Sequence, residues 1–327
     1  MDFAIDMGTS NTTIYVKGVG IVLSEPSMAV IQRGKKTEIR FSGAAAKKML
    51  GKTTGNSELV CPLADGLVIK PEIAAMMLKD FFKRIVSGGV LKQKIRVVAS
   101  INCGASLAER KILESVYNKA GVSDVVLVDT PLALNQVVSE SNAFFVDIGG
   151  GTTEISAVTP IGIIHGYSLN IGGDTIDNAI IDLLAEQFSL RIGKVTAEKI
   201  KHTIGSLYEN DISTVNVSGR DLMSGSPVNV EISSADLRPL IKSYSDKILE
   251  VVAAVINLVP PEMASDLTGK GIYLAGGGAK LAGLAEYMSS ALKLNVEVLD
   301  ASSAVSGLST LSSDRARLNE LLNLENL

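Results

Sequence analysis

The chain has 327 residues, a formal net charge of −4, 46 % hydrophobic and 20 % charged residues, 14 Phe and Tyr, and no Trp. That length exceeds one small core and predicts two domains of about 150 residues each. Without a basic stripe, a stacking platform, a block of like charge or a long Pro/Gly/Ser tract, the composition argues against nucleic acid as a partner and against disorder.

In chain order, β-rich runs are predicted at 12–16, 95–101, 125–129, 143–148, 271–276 and 296–300. Amphipathic helices are predicted between them over Pro71–Val86, Ser106–Ala120, Thr175–Phe188, Thr196–Tyr208 and Ser234–Leu258. Strands alternating with helices mean α/β layers. The last helix opens on the capping sequence "SSADLRPLI" and stops at Pro260 and Pro261. Two inserts stand out. Residues 31–58 read as a polar hairpin, a short Ala-rich helix and a loop, and Asn210–Val230 reads as a small sheet between two helices. Cys61 and Cys103 lack zinc-ligand spacing, His165 and His202 lack ligand partners, and no apolar run approaches the ~20 residues of a membrane span. With no secretory-type start either, the expectation is a cytoplasmic protein with buried or idle thiols.

The segment "DMGTSNTTIYV" at Asp6–Val16 is repeated as "DIGGGTTEISA" at Asp147–Ala157, with Asp6 matching Asp147, Gly8 matching Gly149 and Thr12 matching Thr153. A Gly/Ser/Thr-rich hairpin offers amide and hydroxyl donors to phosphate oxygens, and the aspartate before it suits a hydrated divalent cation. Two copies half a chain apart fit a grip on one triphosphate from both sides. A single copy is equally well explained as a β-turn. A third cluster, "IYLAGGGAKLAGL" at Ile272–Leu284, follows a strand and opens a helix, and is the expected platform for purine and ribose.

These segments, with "VKGVGIVLSEPS" (Val16–Ser27), "AAKKMLGKTTGN" (Ala45–Asn56), "PLADGLV" (Pro62–Val68), "NIGGDTIDNAI" (Asn170–Ile180) and "VSGRDLMSGSP" (Val217–Pro227), resemble the actin superfamily and, within it, the MreB-like bacterial actins over nearly the whole chain. The resemblance implies an α/β actin-like fold of two ribonuclease-H-like domains, each with a small inserted subdomain, and a nucleotide cleft between them. Its domain IA would comprise 1–30, 60–137 and 303–327, subdomain IB 31–59, domain IIA 138–179 and 240–302, and subdomain IIB 180–239. ATP and Mg2+ are the implied cofactors. Asp6 and Asp147 would hold the hydrated metal. Gly8, Thr9, Ser10, Asn11 and Thr12 would meet phosphates from one side, and Gly149, Gly150, Gly151, Thr152, Thr153 and Gly173 from the other. Lys201, Thr203, Gly205 and Ser206, with Gly276, Gly277, Gly278, Ala279 and Lys280, would hold ribose and base.

The implied activity is nucleotide-dependent assembly with itself into paired head-to-tail filaments on the inner face of the cytoplasmic membrane, organising cell shape and cell-wall elongation proteins. Heterologous contacts that do not close generate such fibres. A non-polymerising, ATP-binding adaptor of the FtsA or PilM kind is the alternative. Membrane contact would fall to Val90 and Leu91, flanked by Lys92, Lys94 and Arg96, or those two apolar residues pack inward.

Two positions depart from the family pattern. Where the family places "EEP", whose second carboxylate positions the attacking water, this chain reads "VDTPLALNQ", with Thr130 there and Asp129 before it. A threonine orients water but is no carboxylate base, so catalysis assigned to Asp147, Thr130 and Asp129 implies slow hydrolysis, unless Asp129 substitutes. Thr203 replaces the glutamate expected to reach the ribose, a charge-assisted bond worth roughly 1.5–3 kcal/mol.

Overall fold

The computed structural model describes residues 1–86, 94–138 and 142–324. Its first elements are β1 (Asp2–Met7), β2 (Asn11–Val16), β3 (Gly20–Pro26), β4 (Ala29–Gln32), β5 (Glu38–Ser42), α1 (Gly43–Lys47), β6 (Ser57–Val60), β7 (Leu63–Ala64), β8 (Leu67–Val68), α2 (Pro71–Ile85), β9 (Arg96–Ile101), α3 (Leu107–Ala120), β10 (Asp124–Asp129) and α4 (Thr130–Leu134). There follow β11 (Ala143–Ile148), β12 (Thr153–Thr159), β13 (Gly162–Leu169), α5 (Gly173–Phe188), β14 (Leu190–Arg191), α6 (Lys194–Ile204), β15 (Thr214–Asp221), β16 (Pro227–Ser233) and α7 (Ser234–Ile256). The chain closes with α8 (Pro261–Lys270), β17 (Ile272–Ala275), α9 (Leu284–Leu292), β18 (Val296–Val298), α10 (Ser303–Ser313) and α11 (Arg315–Leu324).

The duplication read in the motifs extends to the sheets. One five-stranded sheet runs β3-β2-β1-β9-β10 and the other β13-β12-β11-β17-β18, so each hairpin motif joins the central strand to its neighbour. In the first sheet β1 and β2 are antiparallel, while β9 lies parallel to both β1 and β10; in the second, β17 lies parallel to both β11 and β18. The chain forms two compact units, Met1–Ala143 with Ser156–Ser168 and Ala301–Leu327, and Phe144–Ile155 with Leu169–Asp300.

In the first unit, Phe3, Ile5 and Ile14 of the sheet meet Met77, Leu78 and Phe81 of α2 and Val116 and Tyr117 of α3, all essentially without solvent exposure. Burial of each such aliphatic or Phe side chain is worth roughly 1.5–3 kcal/mol. Helix α3 starts at a complete capping box, with the Ser106 amide donating to Glu109 at 2.6 Å and the Glu109 amide donating to Ser106 at 3.3 Å. The insert expected at 31–58 consists of the sheet β5-β4-β6 and the five-residue α1, over a small core of Ala29, Ile31, Val60 and Ile73.

The second insert is the sheet β14-β15-β16. Its "SGRDLMSGSP" sequence builds the β15–β16 turn, where one Asp221 oxygen accepts from the Met223 amide at 3.1 Å, the Ser224 amide at 2.6 Å and the Ser224 hydroxyl at 2.7 Å. This leaves Leu222 and Met223 exposed at the tip. Helix α7 begins on a second capping box at Ser233 and Asp236. The expected helix over 196–208 ends earlier, at Ile204, because Ser206 and Leu207 turn away to bridge Ala282, with the Leu207 amide donating to Ala282 at 2.9 Å. Pro261, read as a terminator, also starts α8 as its first residue, where the missing amide hydrogen costs nothing. Among the described residues no helix is long and apolar enough to cross a membrane.

Candidate functional site

In the first unit the hairpin turn is closed by the Gly8 amide donating to the Asn11 carbonyl at 3.0 Å. Ser27 braces it from β3's far side: its hydroxyl donates to the Gly8 carbonyl at 2.6 Å and lies 2.9 Å from the Thr12 hydroxyl, and its amide donates to the Ser10 carbonyl at 2.9 Å. The Thr9 hydroxyl accepts from the Gly66 amide at 3.0 Å. Neither Ser27 nor Gly66 was singled out by the sequence reading, although both sit in the "EPS" and "ADGLV" segments that carry the resemblance.

The second hairpin repeats this turn. The Gly149 amide donates to the Thr152 carbonyl at 2.8 Å, and Thr153, as fully buried as Thr12, donates its hydroxyl to the Ile171 carbonyl at 2.7 Å. The start of α5 packs onto it, with the Gly173 amide on the Gly149 carbonyl at 3.0 Å and the Asp174 amide on the Gly150 carbonyl at 2.7 Å. The approach is so close that a Cβ on Gly172 would fall 2.6 Å from the Gly150 oxygen. Among the described residues no backbone hydrogen bond engages the amides of Thr9, Ser10, Gly150 or Gly151.

Asp6, the last residue but one of β1, is half-buried, and Ser100 near the end of β9 donates to its carboxylate at 2.7 Å. Burial pushes the Asp6 carboxyl above its ordinary range, with the Ser100 hydroxyl pulling the other way. Tyr117 of α3, fully buried, has a phenol hydroxyl with no hydrogen-bond partner among the described residues, and burial together with the Asp6 charge keeps it protonated.

Asp147, the last residue but one of β11, is in the equivalent position, and the glycine cluster lies directly against it. A Cβ on Gly276 would fall 2.3 Å from the Asp147 carboxylate and 2.4 Å from the Ile148 carbonyl, and one on Gly278 would fall 2.3 Å from the Ile148 side chain. Gly277–Lys280, including Ala279, form a single 3-10 turn. The second unit therefore joins Asp147, the phosphate-type hairpin, the start of α5 and the glycine turn in one place.

The two departures are resolved at atomic level. Thr130 begins α4 buried, its hydroxyl donating to the Ile101 carbonyl at 3.1 Å. Asp129 is buried beside it and ion-paired with Arg110 of α3, and burial outweighs the guanidinium in pushing its carboxyl up. Asp129 is thus held by a cation that sequence reasoning missed, since nothing in spacing alone links positions 110 and 129. Thr203 is exposed and donates its hydroxyl to the Lys199 carbonyl at 2.7 Å, one helical turn back. Lys201 is nearly buried, its ammonium 2.7 Å from the Gly173 carbonyl and 2.7 Å from an Asp177 carboxylate oxygen. Gly205 packs against the Lys201 carbonyl, where a Cβ would sit at 2.3 Å. Val90 and Leu91 lie outside the described residues.

The donor set fits a nucleotide triphosphate with a hard divalent cation. Oxygen-only carboxylates that keep part of an ion's water shell suit Mg2+. Among the described residues no group of three or more acidic, His or Cys side chains is placed to hold a metal ion. The unengaged turn amides are the complement a phosphate oxygen requires.

A duplicated sheet, each with an Asp–hairpin unit between its two central strands, defines the actin-like class of folds. Within that class the family model described as MreB/Mbl protein matches residues 1–320. The cell shape-determining protein MreB of Escherichia coli strain K12 is 37 % identical over 292 residues, covering 86 % of this chain and 84 % of that protein. MreB5 of Spiroplasma citri superposes with a TM-score of 0.88 in its ADP-bound crystal structure, at 29 % identity and with 97 % of both chains covered. The same protein bound to AMPPNP gives 0.87 at 28 % identity over 98 % of both chains. A MamK double helical filament structure shares the fold, with a TM-score of 0.78 at 20 % identity over 96 % of this chain and 99 % of that one. The chain belongs to the MreB/Mbl family.

Proposed function

We propose that this protein is an MgATP-binding bacterial actin that assembles with itself into membrane-associated filaments governing cell shape and the placement of cell-wall elongation proteins. The repeated hairpin carries this reading: two turns with the same internal bond, at 3.0 and 2.8 Å, each follow an aspartate one residue before the end of a central strand. Similarity to MreB5, captured with ADP and with AMPPNP, supports nucleotide binding. The name of the related Escherichia coli protein supports the cell-shape role.

In this reading Asp6 and Asp147 orient the waters of Mg2+, and the amides of both turns receive phosphate oxygens. The "GGGAK" turn and the end of α6 take ribose and base. The domain limits expected from the family, with subdomain IB at 31–59 and IIB at 180–239, belong to the same proposal. Mg2+ would supply charge neutralisation at the phosphates. The chain's own contribution is positioning, which dominates phosphoryl transfer. Because Thr130 donates to a main-chain carbonyl and Asp129 is paired with Arg110, neither stands as a free base, and hydrolysis is slow. Thr130→Glu is expected to raise phosphate release from the ATP-loaded protein about a hundredfold, the lower end of what a positioned general base contributes. Unchanged release in a phosphate-detection assay would show that a carboxylate at this position has no access to the attacking water.

The experiment that tests the whole reading is electron microscopy and pelleting with anionic liposomes, with and without MgATP. Paired filaments on lipid only with MgATP are expected, and Asp147→Ala should abolish them. Assembly by Asp147→Ala equal to the parent would remove the nucleotide switch. Bound but unpolymerised protein would favour an adaptor. Attachment through Val90 and Leu91 rests on the sequence and predicts loss of liposome pelleting when both are replaced by charged residues.

A further inference from the structure

Lys201 belongs by sequence to the ribose side of the nucleotide site, yet its surroundings give it other work. Its side chain is 12 % exposed and that of Asp177 3 %, and the two are 2.7 Å apart. Beside this ion pair the ammonium donates a hydrogen bond to the Gly173 carbonyl, also at 2.7 Å. Turning Lys201 toward a ligand would strand the Asp177 carboxylate in the interior, and uncompensated buried charges are strongly unfavourable. The ammonium is therefore fixed where it is.

Gly173 is the junction that makes this consequential. Its carbonyl takes Lys201, while its own amide holds the Gly149 carbonyl at 3.0 Å and the next amide, of Asp174, holds the Gly150 carbonyl at 2.7 Å. A second ion pair, Lys194 with Asp174 at 2.8 Å, ties the same two helices together. A continuous run of polar contacts thus leads from α6 through the first turn of α5 into the second phosphate-type hairpin.

We propose that Lys201 is a positioning residue for the phosphate hairpin, acting through Gly173 with Asp177 as its required counter-charge, and not a ligand of the nucleotide. This rests on the nucleotide-binding reading above. It predicts that disrupting the pair weakens the phosphate part of recognition and spares the adenosine part.

The test is displacement of a fluorescent MgADP analogue by tripolyphosphate and, separately, by adenosine, using full-length protein. Three variants are compared: Asp177→Asn, Lys201→Met, and the double variant, which leaves no buried charge and so decides the matter if a single variant does not fold. Tripolyphosphate affinity is expected to fall about tenfold in each, which is roughly 1.4 kcal/mol, with adenosine affinity unchanged. Loss of adenosine affinity with tripolyphosphate unaffected would make Lys201 a direct ligand and overturn the proposal. Unchanged affinity for both would overturn it equally. Failure of the parent protein to bind the analogue at all would instead bring down the nucleotide reading itself.

Discussion

Gly276→Ala is expected to weaken nucleotide binding by at least about tenfold to a hundredfold, roughly 1.4–2.8 kcal/mol, while Gly269→Ala in α8 leaves it close to the parent value. The difference is geometric. Gly276 has φ 82° and ψ 175°, a backbone region open essentially to glycine, where any other residue costs about 1–3 kcal/mol. Its Cβ would also land 2.3 Å from the Asp147 carboxylate, so the new methyl displaces the group proposed to orient the metal's waters. Gly269 has neither constraint: a Cβ there meets nothing within 4 Å. Titration of both variants with a labelled nucleotide in the presence and absence of Mg2+ checks this. Equal affinities would show that Asp147 tolerates displacement and has no part in binding.

Gly307→Ala should be the more damaging change to the fold. In α10, Gly307 faces α4 so closely that a Cβ would fall 1.8 Å from the Ala133 carbonyl oxygen and 2.6 Å from its carbon. Neither partner is a flexible side-chain end, so two helices must separate. Overpacking of this kind costs about 3 kcal/mol or more, a fall of roughly 6–12 °C in the unfolding midpoint for a unit of this size. Gly269→Ala in α8 is the control. With open space around its Cβ, it should stabilise by roughly 0.4–1 kcal/mol through the unfolded chain. Thermal melts of the two variants against the parent give the comparison, and a Gly307→Ala midpoint within a degree or two of the parent would refute the packing argument.

The parts of this molecule most legible in the sequence were those set by local rules. Ser106 and Glu109, or Ser233 and Asp236, announce helix starts through a three-residue spacing that folding leaves intact. The repeated Asp–Gly–Thr pattern announces the two hairpins because a tight turn depends on the residues within it. The sheet order emerges from the repeat only once the structure pairs β1 with β9 and β11 with β17 across long stretches of chain. What the sequence hid are contacts between distant positions. Ser27 bracing Gly8, Ser100 holding Asp6, Arg110 clamping Asp129 and Asp177 trapping Lys201 each pair a residue of ordinary appearance with one of the motif residues. No periodicity encodes them. The end of α6 at Ile204 was likewise set by a remote strand-like bridge to Ala282, which overrides the helical pattern of the residues that follow.

Helix α10 packs against β1, β2, β9 and α4, so the first unit draws its opening strand and its closing helix from opposite ends of the chain. During synthesis, the amino-terminal sheet emerges early but lacks the helix that covers it until some three hundred residues have been made, as α10 begins only at Ser303. Because domains mature as units during translation, the second unit, complete at Asp300, is the first that can finish folding. A nascent or truncated chain that lacks α10 therefore carries an unfinished amino-terminal half, whatever the state of the second unit.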